Sequence, residues 1–182
     1  MKKIILTALL LTAGFMAQAQ KNTLLVYGDL SINSGKSAAD VKSTSFRFAP
    51  GVGYQFDDNW TAGVNLRTEN WKQGTPSVKS NAFGAGPFIR YTYALSDIFA
   101  VFGQFNANAV SGKAGGVKYN GFQGELFPAI GVNLKNGFAL NFNFGSLSLN
   151  TSKVKGASSG SSDFGLHFGS GAGFGISKNF GM

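Results

Sequence analysis

The sequence predicts an all-β fold, an eight-stranded antiparallel transmembrane β-barrel with short periplasmic turns at one end and four longer external loops at the other. Three observations predict it. Oily and small or polar residues alternate with period two over eight stretches, which puts successive side chains on opposite faces of a strand. The connections between the stretches alternate long and short, and aromatic residues gather beside the short ones.

The last stretch, residues 163–182, is the longest. Its even positions are Phe164, Leu166, Phe168, Ser170, Ala172, Phe174, Ile176, Lys178 and Phe180, and its odd positions are Gly165, His167, Gly169, Gly171, Gly173, Gly175, Ser177 and Asn179. Such a run far exceeds the roughly 5–6 residues of an ordinary strand, and an isolated strand with so oily a face aggregates in water. Lipid outside and a packed polar lumen inside resolve both problems, provided the sheet closes and leaves no backbone group unpaired in hydrocarbon.

Composition agrees with this reading. The 182 residues include 26 Gly, 18 Phe, 4 Pro and no Cys, and 13% are charged. That length suits one domain, and the low charge excludes charge-driven disorder. Mean hydropathy is only +0.03, because a barrel dilutes its lipid face with alternating polar residues and so hides from hydropathy. The absence of Cys excludes disulfide, thiol and Cys-metal chemistry and a lipid-anchored Cys. Lys2 and Lys3, an apolar core over residues 4–16 and the small-x-small Ala17, Gln18, Ala19 read as a secretory signal peptide over residues 1–19, leaving a barrel of residues 20–182. Without Lys2 and Lys3 the 16 basic residues fall to 14 against 8 acidic ones, a net charge of +6. Export argues against nucleic acid as the partner of that charge.

In chain order, strand one (residues 23–33) sets Leu24, Val26, Leu30 and Ile32 against Leu25, Tyr27, Asp29 and Ser31. Residues 34–43 read as the first long loop. Strand two (44–56) sets Phe46, Phe48, Val52, Tyr54 and Phe56 against Arg47, Gly51, Gly53 and Gln55, and a tight turn follows at Asp57, Asp58 and Asn59. Strand three (60–68) turns Trp60, Val64 and Leu66 outward and Thr61, Asn65 and Arg67 inward, before a second long loop over residues 69–81. Strand four (82–93) faces Phe83, Ile89, Tyr91 and Tyr93 out and Phe88 and Arg90 in. After the turn at 94–97, strand five (98–109) faces Phe99, Val101 and Phe105 out and Phe102, Gln104, Asn106 and Asn108 in. Residues 110–120 form the third expected loop. Strand six (121–134) opposes Phe122, Leu126 and Ile130 to Gln123, Glu125 and Phe127, and Asn136-Gly137 is a hairpin signal. Strand seven (138–149) breaks parity at Gly145-Ser146, which reads as a bulge. A fourth loop, 150–162, precedes strand eight.

Tyr54, Phe56, Trp60, Tyr91, Tyr93, Phe99 and Phe138, with Phe180 at the end, form the expected aromatic girdle at headgroup level. The run Gly86-Pro87-Phe88-Ile89-Arg90-Tyr91-Thr92-Tyr93, then Leu95-Ser96-Asp97 and Phe102-Gly103-Gln104, resembles the outer-membrane protein beta-barrel domain family, small porin-like proteins of OmpA and OmpX architecture. Gly175-Ile176-Ser177-Lys178-Asn179-Phe180 is similar to that family's closing strand. The resemblance implies an outer-membrane location, help from periplasmic chaperones, and recognition of Phe180 by the barrel-assembly machinery. Gly181 and Met182 after the aromatic depart from the family's pattern.

Inward parity places Asp29, Arg47, Arg67, Arg90 and Glu125 in the lumen, with Glu69 near a rim, and burial demands that they pair across it. The glycine face of strand eight is expected to leave room opposite Phe88, Phe102 and Phe127. A sealed plug follows from the narrowness of eight-stranded barrels; a gated narrow pore for ions or small solutes is the alternative. Lys36, Lys42, Lys72, Lys79, Lys113, Lys118, Lys153 and Lys155 all fall in the four long loops, against Asp40, Glu69 and, at the loop edge, Asp163, while the short turns carry Asp57, Asp58 and Asp97 against Lys135. This segregation suggests lipopolysaccharide phosphates or another anionic surface partner, although exposed lysines also serve as plain solvated surface.

Enzyme signals are poor. His167, the sole His, points inward and reads as a structural hydrogen-bonding residue. The Gly156 to Gly160 match to a nucleophile elbow lacks the strand-to-helix turn that motif needs, and Gly35-Lys36-Ser37 lacks the first Gly of a phosphate loop. A barrel-embedded lipid hydrolase would need His167 beside a Ser facing lipid. The expectation is a monomeric structural and surface-interaction protein with no catalytic residue, metal or cofactor.

Overall fold

The computed structural model describes residues 22–36, 42–74 and 78–181. The signal segment, Asp40, Met182 and the side chains at positions 33 and 170–172 lie outside that description. Eight strands follow in order: β1 Thr23–Lys36, β2 Lys42–Gln55, β3 Trp60–Gln73, β4 Val78–Ala94, β5 Phe99–Ala114, β6 Val117–Asn133, β7 Phe138–Val154 and β8 Ser161–Gly181. Each pairs antiparallel with the next, and β8 returns to β1 to close the barrel. Among the described residues no helix is long and apolar enough to cross a membrane, so any crossing is made by strands.

Burial follows the two-residue period. Leu25, Tyr27, Asn65, Phe88, Arg90, Phe102, Gln104, Asn106 and Phe127 are buried in the lumen, whereas Val26, Val64, Ile89, Phe105, Leu126 and Ile130 on the alternate rows are exposed. A water-soluble fold buries its large apolar side chains; here the oily rows are the outer wall. Moving each such Leu, Ile or Phe from water into acyl chains contributes ~1.5–3 kcal/mol.

Residues 56–59, 95–98 and 134–137 make the connections at the end holding both described termini, here the terminal end. In the last of these, Asn136 (φ 61°) and Gly137 (φ 75°) both occupy the left-handed region, the geometry an Asn-Gly hairpin supplies. A Cβ on Gly137 would also strike the Asn179 carbonyl.

At the opposite, distal end the connections are shorter than the sequence suggests. The strands continue through most of the four polar segments: β1 runs to Lys36, β2 begins at Lys42, β3 runs to Gln73 and β4 begins at Val78, while Gly115 with Gly116 and residues 155–160 link the third and fourth hairpins. The reason is physical: beyond the oily band both faces are wet, so the two-residue contrast vanishes while the backbone ladder persists.

β7 carries the expected bulge. Its register against β6 shifts between Leu126 and Ala129, where the outward set passes from Phe142 to Leu147. The uninterrupted alternation expected of residues 163–182 is not found. Asn143 pairs with Gly173 but Gly145 pairs with Phe168, so two steps on β7 oppose five on β8. Gly169, with φ 70°, lies within this excess. Parity could not reveal the break, because outward-facing Phe168 and Phe174 on its two sides are both even-numbered.

Candidate functional site in the barrel lumen

The terminal half of the lumen is packed shut by a layer of polar and aromatic side chains. Gln104 on β5 is fully buried at 0% exposure. Its Nε2 donates to Tyr27 Oη at 2.8 Å and to Asn106 Oδ1 at 2.7 Å, while its Oε1 accepts from Arg90 Nε at 2.7 Å. Asn65 Nδ2 donates to the same Asn106 oxygen at 3.1 Å. β1 and β5 stand on opposite walls of the closed barrel, so the Tyr27–Gln104 bond spans the lumen.

Rings fill the remainder of this layer. Phe88 meets Tyr27 edge-on with centroids 5.2 Å apart, and Phe102 meets Phe127 at 6.4 Å. The Arg90 guanidinium lies 4.1 Å from the Phe102 ring centroid and 4.9 Å from that of Tyr27. Room for Phe88 comes from Gly53 and Gly63 on the neighbouring strands, where an added Cβ would approach its ring to 2.6 Å and 2.8 Å. The glycines of β8 do something else: a Cβ on Gly173 would strike Asn143, and one on Gly175 would strike Asp29. Cavities of about 40 and 10 Å³ remain in this half, room for isolated waters at most.

The distal half is polar and hollow. Arg67 Nη1 on β3 reaches Glu125 Oε2 on β6 at 3.4 Å, and Arg67 also pairs with Glu69. Arg47 Nη2 on β2 lies 3.9 Å from the same Glu125 oxygen. Among the described residues its buried Nε has no hydrogen-bond partner. One cavity of about 260 Å³ is lined by Arg67, Glu69, Tyr119, Gln123 and Asn150 among others, and a second of about 220 Å³ by Asp29, Arg47, Glu125 and His167.

The five lumen charges therefore do not form one network. Arg47, Arg67 and Glu125 come together with Glu69, whereas Arg90 is held by Gln104 and two rings. Asp29 lines the second cavity, and among the described residues it makes no ion pair within 4.0 Å. Parity fixes the face a side chain takes but not its height along the lumen, and height separates Arg90 from the Glu125 cluster. His167 lines the cavity with no hydrogen bond among the described residues, contrary to the structural role expected of it. The bridging amides were legible only as an inward row, Gln104, Asn106 and Asn108; nothing in the sequence says which wall they reach.

Outside, Tyr54, Phe56, Trp60, Tyr91, Tyr93, Phe99 and Phe138 are all exposed near the terminal end. Trp60 and Tyr91 contact at 4.9 Å, and Lys178 Nζ sits 4.5 Å from the Phe138 ring and 4.7 Å from the Phe180 ring. Such aromatic and snorkelling groups suit a lipid headgroup boundary.

An eight-stranded transmembrane barrel whose lumen is packed shut in its terminal half is the class these features define. Among solved structures, the chain is similar to Neisserial surface protein A, with 12% identity over 87% of this chain and 99% of that one and a TM-score of 0.51. Weaker likenesses link it to a de novo designed transmembrane β-barrel (12% identity, 90% and 99% covered, TM-score 0.43) and to the Yersinia pestis outer membrane protein Ail (14%, 88% and 100%, TM-score 0.36). No family model and no curated protein matches the sequence. The likeness at TM-score 0.51 establishes the fold, and function rests on the chain's own residues.

Proposed function

We propose that this is an integral outer-membrane barrel, closed to solute flow, which serves as a structural and surface-interaction protein by engaging lipopolysaccharide phosphates through a distal collar of lysines. The observation that carries the proposal is a register. Lys36 faces Lys42, Lys72 faces Lys79 and Lys113 faces Lys118, each pair directly opposed across its hairpin. Lys153 and Lys155 add to the fourth hairpin, and all eight lysines are exposed. For Lys72 with Lys79 and Lys113 with Lys118, like charges directly opposite cost up to ~1 kcal/mol a pair, a cost that an anionic partner offsets.

Their placement suits that partner. Lys36, Lys72, Lys79 and Lys118 continue the outward rows of Ile32, Leu66, Phe83 and Phe122, so their ammonium groups lie beside the wall just beyond the oily band, at phosphate height. Changing the three opposed pairs to Gln should make cells more sensitive to divalent-cation removal; unchanged sensitivity overturns the collar. The Tyr27–Gln104 bridge disfavours a narrow pore, and discrete conductance steps from the pure protein in a planar bilayer would replace this reading by that one. No catalysis is assigned: His167 and its cross-strand neighbour Ser146 line a lumen cavity, and among the described residues no hydrogen bond joins their side chains.

A further inference from the structure

The ladder between β1 and β8 stops early. It runs from Thr23↔Gly181 to Asp29↔Gly175, seven pairs, whereas β1 and β2 share 14. The next pair in that register would be Leu30 with Phe174, and both of these outward-facing residues line the 220 Å³ cavity that holds Asp29, Arg47, Glu125 and His167. The cavity thus reaches the outer wall of the barrel through the seam between first and last strands.

Height matters here. A strand rising ~3.3 Å per residue and tilted ~40° gains ~2.5 Å per residue, so Leu30 stands ~15 Å above the girdle at Leu24, just past the middle of a ~25 Å apolar band. The seam therefore faces the distal leaflet. Its flanks are the oiliest part of the wall: Ile32 is 64% exposed on one side, and Leu166 and Phe168 are 69% and 75% exposed on the other.

We infer that this seam is a lateral slot for an amphiphile with a zwitterionic headgroup, its polar head entering the cavity and its acyl chain lying against Leu30 and Phe174. The headgroup chemistry follows from two groups. Arg47 lines the cavity with a third of its side chain exposed and only a long 3.9 Å contact to Glu125, which leaves its guanidinium edge suited to a phosphate oxygen. The Asp29 carboxylate, without an ion-pair partner among the described residues, suits an ammonium. Glu125 is occupied by Arg67 at 3.4 Å, Gly173 and Gly175 yield their own side-chain space to Asn143 and Asp29, and the open volume of about 220 Å³ lies beside them. The inference requires that the barrel span a bilayer but not that the lysine collar act.

The test uses the folded protein in a non-ionic detergent with lyso-phosphatidylethanolamine, followed by native mass spectrometry. One bound lipid per chain is expected, with R47Q and D29N each weakening retention about tenfold or more. Because the chain has no Cys, L30C/F174C introduces a single closable pair. Because Leu30 and Phe174 are themselves the acyl-chain contacts, the reduced variant should hold the lipid more weakly than the parent; oxidation should abolish that remaining binding and reductant should restore it on the same folded molecule, which separates the slot from any folding defect. Retention indifferent to R47Q, D29N and oxidation overturns the slot, as does cross-linking of L30C/F174C to a second copy, which would make the seam a subunit interface. Loss of binding in the lysine-to-Gln collar variant but not in R47Q would assign the lipid to the collar instead.

Discussion

The two halves of this lumen are built from the same eight strands yet are opposite in character. In the terminal half, Gln104 ties Tyr27, Arg90 and Asn106 together across the barrel, and the residual cavities are about 40 and 10 Å³. In the distal half, ion pairs converge on Glu125 beside cavities of about 260 and 220 Å³. The difference teaches where stability and function divide. A hydrogen-bond layer tied across the barrel through Gln104 rigidifies, while a looser polar space keeps capacity for a ligand.

The strongest way to break this comparison is to remove the bridge. Gln104→Leu strands the Tyr27 hydroxyl and the Arg90 Nε–H together, while Asn106 keeps Asn65, so unfolding of the refolded barrel by denaturant should show a loss of ~3–5 kcal/mol. Gly63→Val attacks the same layer from the wall. Its side chain would strike the Val52 carbonyl and the Phe88 ring, and a cost of ~2–3 kcal/mol is expected from overpacking, read by the same denaturation.

In the distal half, Glu125→Gln should cost less, ~1–2 kcal/mol, because Arg67 keeps Glu69 and the surrounding space admits water. A Glu125→Gln loss equal to that of Gln104→Leu would erase the proposed division. Smallest of all, Lys72→Glu converts the opposed Lys72 and Lys79 into an ion pair and should stabilise the barrel by up to ~1 kcal/mol. A destabilised variant would mean that the two ammonium groups are not neighbours.

How much was legible beforehand varied with the physics. Strand number, the outward rows, the terminal turns and the β7 bulge could be read because each leaves a local mark: a two-residue contrast, an Asn-Gly pair, a parity break. The distal ends were misread as loops because residues such as Lys113 and Lys118 face water on a strand just as they would in a loop. The excess residues in β8 escaped because Phe168 and Phe174 keep even parity across them.

The sequence by itself determined which side of every strand meets lipid, since that choice depends only on alternate residues and the transfer of oily surface out of water. Only the tertiary structure decided which inward groups meet. Tyr27 finds Gln104 across the lumen, Arg67 finds Glu125, and β1 parts from β8 above Asp29, because strand register and closure set the height of each side chain, and neither is written in any one strand.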